Sequence, residues 1–121
     1  MDAETARLLQ NAGVDLACAH ARFDGDEELF LSLVGLYLED EHFEGIVTAL
    51  DRGDVQGAFQ HAHALKGAAG NLSLSRLHRA ASATCELLRA GDADGARASL
   101  PALERAHAAA RRNLEALRDG R

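Results

Sequence analysis

The stretch DVQGAFQHAHALKGAAGNL, residues 54–72, decides the fold, because its side chains predict a helix with one apolar stripe. On a helical wheel at about 100° per residue, measured from His63, Leu72 falls at about 180°. Leu65 falls at about 160° on one side and Ala68 at about 140° on the other. The apolar stripe is therefore centred opposite His63. We expect this helix to pack along that stripe and the His63 ring to point into solvent.

Helical patterning extends over most of the remaining chain. We predict short helices over residues 2–11 and 15–22 and a long helix over about residues 26–50. Apolar residues at spacings of three and four predict a helix from Ser73 to Gly91 and a last seam from Leu100 to Leu117. Ser73 or Ser75 can cap the former, and Pro101 fits either the first turn or a kink of the latter. We expect an all-α fold, an antiparallel four-helix bundle with one or two short N-terminal helices.

Composition supports that fold class and excludes several functions. Alanine and leucine are abundant, whereas β-branched and aromatic residues, which favour strands, are scarce. The 121 residues fit a single domain, and 47% apolar with 26% charged residues is typical of a soluble globular protein. A net charge of −6 argues against binding to nucleic acid.

The sequence also bears on location and redox state. The longest apolar stretch, residues 29–38, is too short to cross a bilayer, and the acidic N-terminus is unlike a secretory signal. A cytoplasmic location and no contact with the membrane are therefore expected. Cys18 and Cys85 are isolated from each other in sequence, and we expect both to be reduced and to behave as small apolar residues.

The predicted long helix is apolar on more than one side over residues 29–38. These side chains cannot all fit one core stripe, so something else must cover part of them. Two candidates are open, the short N-terminal helix and a docking partner, and both can share the surface.

Two glycines distinguish the helix that carries His63. Gly67 and Gly70 follow the histidine by one and two turns, and each costs about 1 kcal/mol relative to alanine in a helix. Close approach by another protein explains them, since bare backbone leaves the imidazole accessible. Lys66 lies beside His63, where its ammonium group can offset negative charge at the ring. The same face, within about 60° of His63, also carries polar and aromatic candidates for partner contact: Gln56, Phe59 and Gln60.

The sequence His63-Ala64-Leu65-Lys66-Gly67-Ala68-Ala69-Gly70 resembles the H-x-L-K-G-x-x-G core of histidine-containing phosphotransfer (HPt) domains. Residues 14–15 and 22–29 and the turn at residues 91–92 also resemble segments of that family, so the resemblance covers about residues 13–118. It implies a four-helix bundle whose histidine exchanges phosphate with receiver domains that carry an aspartate and Mg²⁺.

By this resemblance His63 is the phosphoacceptor, Lys66 its electrostatic neighbour and Gly67 the clearance position. The expected partners are response-regulator receiver domains and a hybrid sensor histidine kinase. The chain is expected to act without a cofactor and without autokinase activity. We also expect it to be a monomer. Ser73 departs from the family pattern, because many members have glycine there. The residue that orients the histidine is also open, and its position falls among Thr84, Cys85 and Glu86.

Two other functions compete with phosphotransfer. The chain could be an adaptor or inhibitor that binds a receiver or kinase without transferring phosphate. A metal-binding bundle is the other alternative. No metal site is expected, because His20, His42, His78 and His107 have no ligand-like spacing to one another, although distant residues can meet in a bundle. His61 lies about 160° from His63 on the wheel, which predicts a partly buried structural residue and no chelate with His63.

Overall fold

The computed structural model of the chain describes residues 2–120, which form seven α-helices joined by short turns. The only strand-like pairing in this range is an isolated bridge between Val14 and Leu74. The all-α prediction is therefore confirmed. In chain order the helices are α1 Ala3–Ala12, α2 Leu16–Phe23, α3 Glu27–Leu38, α4 His42–Asp51, α5 Val55–Asn71, α6 Ser75–Arg89 and α7 Ala93–Asp119.

The bundle consists of α4, α5, α6 and α7, with α5 packed between α4 and α6. Helix α7 closes the bundle against α6 and α4, and its C-terminal extension is long enough to pack with α1 and α3 as well. One continuous core runs through all of these helices; its largest fully buried aliphatic side chains include Ile46, Leu65, Leu77, Leu103 and Leu114. None of the helices within residues 2–120 has the length and apolar character to cross a membrane.

The prediction of one long helix over residues 26–50 is wrong, because the chain breaks at residues 39–41 between α3 and α4. Three consecutive acidic residues, Glu39, Asp40 and Glu41, form this break. They lie at the C-terminal end of α3, where the helix dipole is negative and disfavours carboxylates. The Asp40 carboxylate instead accepts a hydrogen bond from the backbone N–H of His42, at 2.6 Å. A short acidic side chain that binds its neighbouring backbone competes with the helix, and this contact begins α4.

Four of the turns end in an aspartate that caps the next helix. Asp15, Asp26, Asp54 and Asp92 each accept a hydrogen bond from the backbone N–H three residues later. An aspartate cap of this kind stabilises a helix by about 1 kcal/mol. These caps fix where α2, α3, α5 and α7 begin.

Helix α6 begins differently from the prediction. Neither Ser73 nor Ser75 caps it; Leu74 is the N-cap residue and makes no side-chain hydrogen bond. Ser73 has a φ of +56°, a left-handed conformation that favours glycine. The departure from the family pattern at Ser73 is therefore a serine held in a glycine-like turn, where its hydroxyl donates to the Cys18 sulfur at 2.9 Å.

Helix α7 confirms the predicted seam and extends it. Leu103, His107, Leu114 and Leu117 are all buried. The helix begins at Ala93, earlier than the seam indicated, which places Pro101 in its interior. A proline there removes one backbone hydrogen bond of the helix.

Candidate functional site

Helix α5 presents His63 to solvent, as its sequence predicts. Its inner face is made of Ala58, Ala62, Leu65 and Ala69, all with 0% exposure. His63 lies on the opposite, exposed face. The small alanines bring α5 close to α4 and α6, so the exposed face projects from a tightly packed and rigid support.

The side chains next to His63 form a stack. The Phe59 ring lies one turn before His63, with ring centres 6.0 Å apart and planes inclined by 26°. On the Phe59 ring sits the guanidinium of Arg89 from α6, 5.2 Å from the ring centre. Arg89 also pairs with Glu86 at 3.3 Å. Phe59 therefore packs at the edge of the core and also forms part of the surface beside the histidine; its contact with a partner stays a prediction.

Bare backbone lies on the other side of His63. A Cβ atom built on Gly67 would meet nothing within 4 Å, and one on Gly70 would only touch the His78 ring at 3.5 Å. Neither glycine is required by packing inside the molecule. Lys66 is half-buried beside this open strip, whereas Gln56 and Gln60 are exposed on the turns that precede His63.

Helix α6 passes beside the site in a register that two contacts define. Gly70 faces His78 and Phe59 faces Arg89, as expected of antiparallel helices. The same register places His63 opposite Cys85, the position left open for an orienting residue.

None of the three candidates for that role holds the histidine. The Thr84 hydroxyl pairs with Ser99 of α7 at 2.6 Å, Cys85 is fully buried, and Glu86 is paired with Arg89. Within residues 2–120 the His63 imidazole contacts the Phe59 ring and makes no hydrogen bond. No hydrogen bond from the described residues therefore fixes the orientation of the ring.

Arg89 is the residue that the sequence pattern did not reveal. It lies 26 positions after His63 in the chain and on another helix, so no local spacing links the two. Only the pairing of α5 with α6 places its positive charge over the Phe59 ring, which stacks next to His63. The sequence does place Arg89 in the last turn of the helix predicted from Ser73 to Gly91. That position lies one turn after the residues considered for orienting His63.

A helical bundle that presents an exposed imidazole on one helix, with a lysine beside it and bare backbone next to it, is typical of a histidine phosphotransfer module. Comparison with known proteins supports this class. The family model described as "Hpt domain" matches residues 33–119, more than two thirds of the chain, and the chain belongs to that family. No curated protein and no solved structure matches it.

Family membership defines a general role. Hpt domains are phosphotransfer modules of phosphorelays that interact with receiver domains, and they are not autokinases. The matched range begins at residue 33, inside α3. The N-terminal segments that resemble the family, residues 14–15 and 22–29, lie outside it.

Proposed function

We propose that this protein is a phosphorelay intermediate that accepts a phosphoryl group on His63 from a receiver aspartate and passes it to a second receiver. The observation that carries the proposal is the exposed His63 beside Gly67, a helical glycine for which packing within residues 2–120 gives no reason. An imidazole on a rigid helix next to bare backbone suits in-line attack by or on another protein's group.

The chemistry requires little from the histidine side. An unprotonated imidazole nitrogen attacks the phosphorus of an aspartyl phosphate, a P–N bond forms, and the P–O bond breaks to release the aspartate carboxylate. The reverse reaction returns the phosphoryl group to the carboxylate of the next receiver. Mg²⁺ held by the receiver offsets charge on the transferred group, so this chain needs no cofactor of its own.

Lys66 and Arg89 supply positive charge at the site. Phosphorylation of His63 adds about 1.5 to 2 negative charges to this face. Lys66 lies beside the histidine on the same helix, and Arg89 sits over the adjacent Phe59 ring. Because Glu86 and Arg89 are both exposed, their pair is weak. Arg89 can therefore leave Glu86 for a phosphoryl group on His63.

The face around His63 is the proposed contact for the receiver. Gly67 and Gly70 allow close approach, and Gln56, Gln60 and Phe59 offer hydrogen-bonding and apolar contacts on the turns before the histidine. The phosphoryl group originates in a hybrid sensor histidine kinase and reaches His63 through a receiver. The chain itself acts as a monomer without autokinase activity.

Transfer from a phosphorylated receiver in the presence of Mg²⁺ tests the proposal. Radiolabel should appear on the wild-type chain as an acid-labile phosphate, be absent from His63→Gln, and return to a second receiver on addition. His20→Gln is the matched control, because His20 lies on α2, outside the proposed contact face, and it should accept label normally. Arg89→Gln should still accept label but transfer it at a lower rate.

The same experiment separates transfer from an adaptor function. An adaptor would bind its receiver or kinase equally well with and without His63→Gln and would carry no acid-labile phosphate. Label on His63→Gln at the wild-type level, or no transfer from any receiver of the same organism, would contradict the proposal.

A further inference from the structure

A pair of histidines lies on the side of α5 that faces α4, away from His63. His61 is half-buried, as its wheel position predicts, and its Nδ1 atom lies 3.0 Å from the Nδ1 atom of His42 at the start of α4. A groove bordered by α4, α5 and α7 opens this pair to solvent. The proposed phosphotransfer reaction makes no use of it.

The two rings face each other through these nitrogens. Their ring centres are 5.3 Å apart, and the two Nδ1 atoms are 3.0 Å apart. The difference between these distances matches the sum of the two ring radii. The nitrogens therefore lie close to the line that joins the ring centres. One proton bridges them, so that one ring donates and the other accepts. If that proton moves to Nε2 of its ring, the lone pairs of the two Nδ1 atoms point at each other with no proton between them.

The surroundings hold both rings in this arrangement. A Cβ atom on Gly45 would lie 2.6 Å from the His61 ring, so bare backbone on α4 is what allows the ring its place. Asp40, with only 10% of its side chain exposed, has Oδ2 4.0 Å from Nε2 of His42. Metal-binding histidines commonly donate their second ring N–H to a carboxylate; here the carboxylate is near, at a distance longer than a hydrogen bond.

The groove is electrostatically suited to a cation. Five carboxylates line it against two guanidinium groups, and such an excess attracts positive charge: Glu39, Asp40, Glu41, Glu44 and Asp54 against Arg52 and Arg111. Within residues 2–120 no three histidine, cysteine, aspartate or glutamate side chains are already gathered for a metal. The protein therefore offers two nitrogen ligands, and water or a groove carboxylate must complete the coordination.

We propose that His42 and His61 form a two-imidazole site for a divalent transition-metal ion, with Cu²⁺ as the preferred ion. Imidazole nitrogens suit copper and zinc, and copper binds most strongly among the divalent first-row ions. The bridging proton shifts to the outer nitrogen of its ring, the rings part, and each nitrogen binds the metal at about 2.0 Å. No proton is released when both rings start neutral. His42, 39% exposed in its side chain, has the freedom to move.

Electron paramagnetic resonance of the full chain with added Cu²⁺, after removal of any purification tag, tests the site. The wild type should bind one ion with hyperfine structure from two nitrogen ligands. His42→Ala and His61→Ala should each lose that signature and bind at least about tenfold more weakly. Asp40→Asn, which keeps an acceptor for the His42 backbone N–H, should weaken binding by about tenfold.

Matched variants and a second ion make the result decisive. His20→Ala should leave Cu²⁺ binding unchanged, and Zn²⁺ followed by calorimetry should show the same dependence on His42 with lower affinity. Circular dichroism confirms that each variant is folded. Equal binding by wild type and His42→Ala, or loss of the signal in His63→Gln alone, would overturn the proposal. Neither outcome bears on phosphotransfer, because the site lies away from His63.

Discussion

At the scale of single residues, Gly67 separates the needs of the fold from those of the proposed function. A Cβ atom there meets nothing within 4 Å, and a glycine in an exposed helix costs about 1 kcal/mol relative to alanine. Within residues 2–120 no packing contact at Gly67 offsets this free-energy cost. In contrast, Gly45 is required by the His61 ring packed against it. Gly45 therefore serves packing inside the molecule, whereas no packing contact within residues 2–120 accounts for Gly67.

Substitution of Gly67 should reveal this difference directly. Gly67→Ala should raise the free energy of unfolding by about 0.5–1 kcal/mol, because the helix gains a better helix former without a clash. Gly67→Gln should also fold but slow phosphotransfer at least about tenfold, since its side chain occupies the space of the approaching receiver. Chemical denaturation and the rate of label transfer measure the two effects.

Ala102→Gln provides the control for added bulk. Ala102 is exposed on α7, and this change should leave the transfer rate as it is in the wild type. A Gly67→Gln protein that transfers at the normal rate would refute the clearance argument. A Gly67→Ala protein less stable than the wild type would show that the glycine serves the fold after all.

At the scale of helices, the break between α3 and α4 lies close to a buried polar pair. The Tyr37 hydroxyl of α3 and Nδ1 of His107 on α7 are 2.8 Å apart, and the Phe43 ring of α4 stacks on His107 with centres 5.1 Å apart. Nε2 of His107 is buried and has no hydrogen-bond partner within residues 2–120. Three helices, α3, α4 and α7, thus contact the His107 imidazole. A second proton on this ring would have no hydrogen-bond acceptor among the described residues.

This contact predicts a loss of stability in mild acid. Burial lowers the pKa of His107 below its ordinary value of 6.5; the nearby Glu44 opposes this shift and Arg111 adds to it. The unfolded chain therefore binds the proton more readily than the folded one. The contribution of His107 is complete above about pH 6.5 and decreases as the pH falls from there through the pKa of the folded protein.

His107→Phe should flatten that dependence, because it removes the titrating group and keeps an aromatic ring in the core. The measurement is the free energy of unfolding by denaturant at about pH 7.5 and about pH 5.5 for wild type and variant. The decrease toward acid should be smaller in His107→Phe than in the wild type, whatever the stability at the higher pH. His20→Phe, a change on α2 away from this contact, should retain the wild-type decrease. Equal slopes for His107→Phe and wild type would disprove the assignment.

At the scale of the whole molecule, the sequence predicts features that depend on periodicity and misses features that depend on contacts between helices. The wheel of α5 placed His63 outward and Leu65 inward because burial has a 3.6-residue repeat. The break at residues 39–41 escaped prediction because it contains no glycine or proline; a hydrogen bond from the His42 backbone to Asp40 makes it. Arg89 and the pair of His42 with His61 depend on helix register, which no local pattern encodes.

The N-terminal half of the molecule also leaves one apolar surface uncovered. Helix α2 packs against α3, yet Leu36 is 65% exposed and Leu29 47% exposed. With the half-buried Leu33 they recur at spacings of four and three, so they form one leucine stripe along α3. The short N-terminal helices, one of the two coverings considered for this segment, therefore leave this stripe exposed to solvent, and its coverage by a docking partner stays a prediction.

Leu36→Ser tests whether a receiver uses the leucine stripe. An exposed side chain contributes little to the fold, so the free energy of unfolding should change by less than about 0.5 kcal/mol. If the receiver covers the stripe, loss of a central apolar contact should weaken binding about tenfold, measured by calorimetry with the unphosphorylated receiver. Ala108→Ser, an exposed change on α7, should leave the affinity unaltered. Unchanged affinity in Leu36→Ser would confine docking to the face around His63, whereas weaker binding would extend the interface from α5 to α3.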